Sequence, residues 1–241
     1  MTQLIVKNLF KKLKISNRER IGLLASIIGL GKKNDRGFSI IIDDISLSVS
    51  SGEFLAIIGK NASGKSTLLR TLAGIYCKDS GIINNHGKIV SLIELEVGFK
   101  LRLTMADNIY LCGALFGLTR KEIKKKFNDI VEFSELDKFV NTKLYKFSQG
   151  MEERLSFSIA VNCNPEILLL DELFNVADEK FKNKAIGKLN VMAKNGVIII
   201  FVSHNLEIIR RCADRIIWLE NGKIKQEGVE IEKIITNYSN S

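Results

Sequence analysis

The 241-residue sequence is 46% apolar and 26% charged and carries a formal net charge of +9, a balance that indicates a folded globular protein and excludes a disordered chain. Its apolar runs are much shorter than the ~20 residues that a membrane-spanning helix needs, and its N-terminus lacks the layout of a signal peptide, so we expect a cytosolic protein without a membrane span. The positive charge suits nucleic acid, an anionic membrane surface or an acidic ligand such as a nucleotide, and composition does not choose among these.

Apolar patterning predicts strands and helices that alternate along the chain. Strands are expected at Leu4–Leu9, Ser39–Val49, Glu53–Ile58, Lys88–Ile93, Ile167–Leu170, Val197–Val202 and Arg215–Leu219. Helical spacing is found at Ser66–Leu72, Arg120–Phe133, Gly150–Asn162, Lys180–Ala193 and Leu206–Cys212. Two of the strands, Ile167–Leu170 and Val197–Val202, are apolar throughout, as in parallel sheets covered by helices on both faces. The pattern therefore predicts an α/β fold.

Two stretches depart from this alternation. Residues 95–165 are mostly helical, which predicts a helical subdomain inserted into a single domain over residues 1–241. Residues 11–37 are basic at both ends and apolar from Ile21 to Leu30, which predicts an insertion before the second strand. The four cysteines have no metal-ligand spacing and two lie in apolar surroundings, so we expect free thiols rather than disulfides or a zinc site.

The segment after the third predicted strand carries the first chemical motif. It fits the phosphate-loop pattern G-x-x-x-x-G-K-[ST] in full, between an apolar strand and a helix. Its members are Gly59, Lys60, Asn61, Ala62, Ser63, Gly64, Lys65, Ser66 and Thr67. Glycines let the backbone curl so that its amides point at phosphates, and the helix that follows adds the positive end of its dipole. We expect Lys65 to reach the β- and γ-phosphates and the Ser66 hydroxyl to hold Mg²⁺.

Two carboxylates end the apolar strand Ile167–Leu170. In this position Asp171 would bind Mg²⁺, directly or through water, and Glu172 would polarise an attacking water. A strand that ends in Asp-Glu is also a common surface turn. Its place downstream of a phosphate loop favours the catalytic role.

His204 and Ser148 lie at the starts of two further predicted helices. His204 follows the strand Val197–Val202, at the edge of an α/β sheet where ligands usually bind. It is either a γ-phosphate contact or a histidine at the start of a helix capped by Ser203. Ser148 resembles the N-cap of a helix that comes just before the Asp171 strand, and a simple capped helix is the alternative there.

Taken in order, these motifs resemble the nucleotide-binding domain of ABC transporters over essentially the whole chain. The stretch Phe147–Met151 stands at the place of that family's Leu-Ser-Gly-Gly-Gln signature. Ala177-Asp178 matches its D-loop, and His204 matches its switch histidine. The resemblance implies a P-loop NTPase with an ABC-type ATPase core, an inserted helical subdomain and a β-subdomain.

The same resemblance implies ATP and Mg²⁺ as cofactors and a sandwich of two copies of the chain. Ser148 and Gly150 of one copy would act on ATP held at Lys65 of the other, and Asp178 would lie at the shared site. Glu172, together with the switch histidine and Lys65, would carry the hydrolysis.

Departures from the family pattern narrow the resemblance. Gln149 and Met151 replace the second glycine and the glutamine of the common signature, and Glu94 stands where the Q-loop has a glutamine. The residues from Val90 to Leu111 are similar to those of ATPases that export O-antigen, teichoic acid or capsule. A carboxylate such as Glu94 can also meet Mg²⁺ or its water. Phe38 is the nearest aromatic candidate to stack on adenine, and a core phenylalanine is the alternative.

The subfamily resemblance implies an ATP-hydrolysing motor subunit. Two copies would pair with a separately encoded membrane permease and move a lipid-linked polysaccharide, such as O-antigen, across the inner membrane from its cytoplasmic face. The segment Ile21–Leu30 would rest on anionic lipid headgroups or line the entry for a pyrophosphate-linked lipid. The alternative is an ordinary helix packed on the domain.

Three rival interpretations have different consequences. The first is an ABC transporter with another cargo, such as teichoic acid or capsule. The second is a soluble ABC ATPase that acts on nucleic acid or ribosomes, but the second nucleotide domain or long coiled coil of such proteins is missing, so we expect no nucleic-acid partner. The third, a P-loop kinase, conflicts with the signature and the D-loop.

Overall fold

A computed structural model describes residues 2–14, 38–93, 98–171 and 178–241. The strands are β1 (Gln3–Lys14), β2 (Phe38–Ser50), β3 (Phe54–Ile58), β4 (Ser80–Asn85), β5 (Ile89–Ser91), β6 (Ile167–Asp171), β7 (Ile198–Val202), β8 (Arg215–Glu220) and β9 (Lys223–Gly228). The helices are α1 (Lys65–Leu72), α2 (Met105–Leu115), α3 (Arg120–Ser134), α4 (Gln149–Asn162), α5 (Glu179–Lys194), α6 (Leu206–Cys212) and α7 (Ile231–Ser239).

Across the described ranges these strands form two sheets. The larger has the order β5-β6-β7-β3-β8-β9, and its members run parallel except β9, which pairs antiparallel with β8. The smaller is antiparallel, with the order β2-β1-β4. The α/β class predicted from the sequence is confirmed, with an added antiparallel β layer.

The central strand β3 shows how the layers pack. Leu55 and Ile57 face α1 and the antiparallel sheet. Phe54 packs toward α4 and α5, and Ile58 packs toward α6 and α7. Because all of these side chains are buried and each contributes about 1.5–3 kcal/mol to folding, the strand is held from both faces. Its C-terminal end is therefore a rigid support for the loop that follows.

Helices α2, α3 and α4 follow one another between β5 and β6. Thr104 and Thr119 cap α2 and α3, and each forms a reciprocal capping box with the acidic residue three positions later, Asp107 or Glu122. α3 packs against both α2 and α4, and α4 also packs against α5. The start of α4 therefore lies in a helical layer that α2, α3 and α4 form together.

Some predicted boundaries differ from the structure. β1 continues to Lys14 because it pairs with β2 along that length, so residues 11–14 of the predicted insertion lie in a strand, and residues 15–37 lie outside the described residues. The predicted strand Lys88–Ile93 is too long. Within the described ranges β5 is an edge strand that pairs only with β6, over Ile89–Ser91, and Leu92 and Ile93 have helical backbone.

The cysteines are free thiols, as predicted. Cys112 and Cys163 are buried, Cys212 is half-buried and Cys77 is exposed. Burial raises the pKa of Cys112 to about 12 and that of Cys163 to about 11, so both stay protonated and unreactive at neutral pH. No helix in the described ranges is both long and apolar enough to cross a membrane.

Candidate functional site

The loop between β3 and α1 has a shape that neighbouring strands impose. A Cβ atom on Gly59 would lie 2.4 Å from the Leu219 carbonyl oxygen of β8. One on Gly64, which has φ of 104°, would lie 2.6 Å from the Ile41 carbonyl oxygen of β2. Only glycine fits at such close approaches. The predicted phosphate loop is therefore built against two strands and does not depend on a ligand for its curl.

Lys65 brings a buried positive charge to this loop. Its side chain is 5% exposed, and its Nζ donates to the carbonyl oxygens of Gly59 at 2.8 Å and Lys60 at 3.0 Å. The first turn of α1 contains no acidic residue to offset the helix dipole. Ser63 Oγ is buried and has no hydrogen-bond partner within the part of the chain that the structure describes. An anion with several oxygens would accept hydrogen bonds from these donors.

The strand register brings Asp171 and His204 to the same edge of the sheet as the loop. Asp171 is the last residue of β6 and pairs with Val202, the last residue of β7. Val202 also pairs with Ile57 of β3, one residue before the end of that strand. Adjacent strands lie ~4.8 Å apart, so the backbones of β6 and β3 are about 10 Å apart at this edge. A carboxylate, a histidine and the phosphate loop thus meet where parallel strands end.

His204 is exposed and precedes α6 without belonging to it. The residue that caps α6 is Asn205, whose side chain accepts hydrogen bonds from Glu207 N at 3.0 Å and Ile208 N at 3.2 Å. Ser203 Oγ accepts from Asn205 N at 3.0 Å. The alternative in which Ser203 caps a helix that contains His204 is therefore wrong, because Asn205 takes the capping position.

The predicted signature lies at the start of α4. Ser148 is the N-cap, as predicted, and its Oγ accepts a hydrogen bond from Met151 N at 3.3 Å. Ser148 and Gln149 are exposed, and Gly150 follows in the first turn. A cavity beside this helix start is lined by Phe99, Gln149, Glu152, Glu153 and Ser156, where burial raises the pKa of Glu152. The contacts that hold Ser148 lie within α4, whereas β2 and β8 hold the phosphate loop.

Asp178 is the N-cap of α5 and links that helix to α4. Its Oδ1 accepts a hydrogen bond from Phe181 N at 2.9 Å, and its Oδ2 accepts one from the Arg154 guanidinium of α4. Arg154 is not among the site residues predicted from the sequence. Nothing in its local pattern distinguishes it from a solvated helix residue.

Phe38 begins β2 and is 56% exposed, so the alternative of a core phenylalanine is wrong. It lines an open cavity with Ile40, Lys12 and Asp79. Two residues that line it, Phe38 and Ile40, lie close to Ile41 on β2, and the Ile41 carbonyl oxygen packs against the phosphate loop. A backbone hydrogen bond from Lys12, at 2.6 Å, is the main cause that lowers the pKa of Asp79. Phe38 and Ile40 therefore form an exposed apolar surface on β2.

Other predicted residues lie outside the described residues. They are Glu94, Glu172, Ala177 and the segment Ile21–Leu30. Among the described ones, the structure brings Lys65, Ser66, Asp171 and His204 to one edge of the sheet, and it holds Ser148 and Gly150 on the helical layer.

Ala62 is strained in the phosphate loop. Its φ of 63° lies in the left-handed region, which costs a residue with a Cβ about 1–2 kcal/mol. We expect Ala62→Gly to raise the free energy of unfolding by about 1 kcal/mol and the Tm by about 2–4 °C, because glycine relieves this strain. Differential scanning calorimetry would measure the change. The matched control is Ala114→Gly on an exposed position of helix α2, which should instead lower stability by about 1 kcal/mol. A Tm that falls in both variants would contradict the strain at Ala62.

Comparison with known proteins adds independent evidence. A family model described as ABC transporter matches residues 42–175. The O-antigen export system ATP-binding protein RfbB of Klebsiella pneumoniae is 41% identical over 199 residues, which cover 83% of this chain and 80% of that protein. The teichoic acids export ATP-binding protein TagH of Staphylococcus epidermidis is 36% identical over 233 residues, which cover 97% of this chain and 86% of that protein.

Solved structures share the fold over nearly the whole chain. An ATP-binding subunit of an ABC transporter superposes with a TM-score of 0.78 at 20% identity, covering 99% of this chain and 95% of that one. A dimeric ATP-binding cassette in a post-hydrolysis state, bound to ADP and Pi, superposes with a TM-score of 0.76 at 21% identity. That match covers 94% of this chain and 98% of the cassette.

Proposed function

Because this chain belongs to the ABC transporter family, whose nucleotide-binding subunits bind and hydrolyse ATP, we propose that it drives the export of a lipid-linked polysaccharide, with O-antigen as the first candidate. The observation that carries the nucleotide site is the rigid phosphate loop with the buried amine of Lys65. The relatives at 41% and 36% identity, both named as export ATP-binding proteins, support the choice of cargo class.

The residues at the sheet edge suit ATP with Mg²⁺. The whole loop Gly59–Thr67 binds the phosphates, and the amine of Lys65 lies against the β- and γ-phosphates. Ser66 and Asp171 offer a hydroxyl and a carboxylate oxygen, and oxygen donors of this kind are the ligands that Mg²⁺ prefers. The ion, when bound, neutralises charge on the phosphates. Glu94 is a further candidate ligand, at the position of the family's Q-loop glutamine.

Glu172 and His204 have different roles in ATP hydrolysis. Glu172 directly follows Asp171 in the sequence, so it is the carboxylate available to polarise the attacking water. His204 follows β7 at the same edge and contacts the γ-phosphate oxygens. Phosphoryl transfer depends mainly on positioning and charge stabilisation, and these groups supply both.

The site is completed by a second copy of the chain. Ser148 and Gly150 lie at the N-terminus of α4, an exposed helix start that suits an anion, yet they belong to the helical layer. In a sandwich of two chains they close on the γ-phosphate held by Lys65 of the partner, and Asp178 lies beside them. The dimeric cassette of similar fold supports this assembly.

Phe38 provides a surface for the adenine ring. Phe38 and Ile40 alternate along β2 and are both about half exposed, at 56% and 50%. An aromatic face of this kind stacks on a base with about 1–3 kcal/mol. It follows that the base lies on the antiparallel sheet while the phosphates lie on the loop.

The partner that completes the transporter is a pair of membrane permease subunits. The chain would act at the cytoplasmic face of the inner membrane as a peripheral subunit, and its net charge of +9 would favour contact with anionic lipid headgroups. No nucleic-acid partner is proposed.

Reconstitution with a candidate pair of permease subunits tests the proposal. Proteoliposomes that contain both subunits should hydrolyse ATP and move an undecaprenyl-linked O-antigen across the bilayer, and transport should stop without ATP. ATP hydrolysis that no lipid-linked glycan stimulates, with no glycan movement, would contradict the export role while leaving the ATPase intact.

A teichoic acid exporter is the second candidate. The relative from Staphylococcus epidermidis is 36% identical and matches 97% of this chain, more of its length than the O-antigen relative matches. The same proteoliposomes separate the two cargoes when they are loaded with a lipid-linked teichoic acid precursor. Preferential transport of that precursor would support the second candidate over the first.

A further inference from the structure

We propose that Arg154 is a positioning residue that locks helix α4 to Asp178, so that Ser148 and Asp178 meet the second copy of the chain as one rigid unit. The proposal rests on the two-copy site proposed above. Arg154 lies six positions after Ser148 on the same helix, or about 9 Å along its axis. A shift of α4 at Arg154 would therefore displace Ser148.

The guanidinium of Arg154 contacts three groups from two other helices. It donates to the Asp178 carboxylate, and its Nη1 lies 3.5 Å from Glu135 Oε2. Its carbon atom Cζ lies 5.2 Å from the centre of the Phe181 ring. Because a guanidinium is planar and donates in fixed directions, this set of contacts determines the orientation of α4 relative to α5.

Glu135 is itself held in place at the end of α3. It has φ of 58°, and its Oε1 accepts a hydrogen bond from Lys184 Nζ at 3.1 Å. The same amine donates to the Phe133 carbonyl oxygen at 2.9 Å. The hydrogen bond from Lys184, assisted by nearby positive charges, lowers the pKa of Glu135, so this carboxylate is ionised at neutral pH. Arg154 thus joins an anchored carboxylate to Asp178.

The packing of these helices does not require the ion pairs. Phe133, Phe157 and Phe181 form a cluster with ring centres 5.9–6.2 Å apart, and this cluster already joins α3, α4 and α5. Partly exposed ion pairs contribute only about 0–1 kcal/mol to stability. The Arg154 contacts therefore fix the orientation of α4 more than they stabilise the packing of the helices, as expected of a positioning residue.

The test compares Arg154→Ala and Arg154→Lys in the full chain carrying Glu172→Gln, which slows ATP hydrolysis. The matched control is Arg210→Ala, which removes an exposed arginine paired with Glu232 between α6 and α7. ATP affinity is measured by fluorescence titration of dilute protein, and ATP-dependent dimerisation by sedimentation velocity. We expect Arg154→Ala to keep ATP affinity within about 2-fold but to weaken dimerisation at least ~10-fold.

Arg154→Lys should be intermediate, because lysine keeps the charge but loses the planar fork. Arg210→Ala should dimerise like its parent. Unchanged dimerisation in Arg154→Ala would overturn the proposal, and so would an equal loss of ATP affinity with a large fall in Tm, which would show a structural role. If the parent chain and Arg210→Ala bind ATP but stay monomeric, the two-copy site itself fails, and the role of Arg154 falls with it.

Discussion

Lys65→Ala is expected to lower the affinity for ATP by about 100-fold or more and to reduce ATP hydrolysis to background. The side chain is 5% exposed, and its amine is the buried positive charge of the phosphate loop. Removing one member of a buried charge pair costs about 2–5 kcal/mol, and 2.7 kcal/mol already corresponds to 100-fold. Isothermal titration with ATP and a phosphate-release assay would measure both effects.

A matched control shows whether ATP affinity depends on the position of the lysine or only on the net charge of the chain. Lys78→Ala removes a lysine of the same charge from an exposed site after α1, and we expect ATP affinity within about 2-fold of the parent chain. Circular dichroism would establish that both variants are folded. An ATP affinity that is unchanged in Lys65→Ala would contradict the phosphate site.

Glu172→Gln is expected to bind ATP normally and to form a stable ATP-dependent dimer while turnover falls by about 100-fold or more. Glutamine keeps the shape of the side chain but cannot act as a general base, a role that contributes about 10²–10⁴ in rate. ATP then stays in the closed site, so its hydrolysis no longer opens the dimer.

Single-turnover hydrolysis and sedimentation velocity would measure the two consequences together. Asp129→Asn, at an exposed position of α3, is the control for loss of a carboxylate and should leave both unchanged. Near-normal turnover in Glu172→Gln would remove this residue from the mechanism.

The phosphate loop could be predicted from the sequence because its determinants are local. A run of nine residues contains both glycines, the lysine and the hydroxyls, and its flanks are a strand and a helix. The buried strands β6 and β7 could be predicted for a similar reason, because a short run of apolar residues is itself a local pattern that indicates a buried strand. Their C-terminal ends locate Asp171, the last residue of β6, and His204, which follows β7, as the structure shows.

The support of the loop could not be predicted, because it depends on contacts between residues far apart in sequence. Ile41 of β2 packs its carbonyl oxygen against both Gly64 and Gly222, at 2.6 Å from the Cβ position of each. No periodicity or local motif specifies which strand passes beside which loop. The register between β2 and the turn after β8 determines which carbonyl oxygen lies beside the loop.

The hairpin of β8 and β9 has a sequence signal, although β9 is not among the predicted strands. Asn221-Gly222 is a preferred dipeptide for a tight hairpin turn, and both residues have positive φ, at 50° and 77°. β4 has no comparable signal. Its asparagines at positions 84 and 85 have low strand propensity, and the strand forms because it pairs with β1.

The sequence leaves two alternatives open at Phe38 and two at His204. The exposure of Phe38 and the capping residue beside His204 decide between them, and both depend on neighbouring elements. Phe38 is more than half exposed at the start of β2, where it pairs with Lys14 at the end of β1. Asn205 takes the cap of α6 and leaves His204 outside the helix. Arg154 gave no signal because its partners, Glu135 and Asp178, come from separate segments.

The measurement that most directly tests the two-copy site is sedimentation velocity of the Glu172→Gln chain with and without Ser148→Asp, in the presence of ATP. Aspartate caps a helix about as well as serine, so α4 should remain intact, while its charge would face the phosphates bound by the second copy. We predict that Ser148→Asp keeps ATP affinity within about 2-fold yet leaves the chain monomeric. An ATP-dependent dimer of undiminished stability would contradict a site that two copies share.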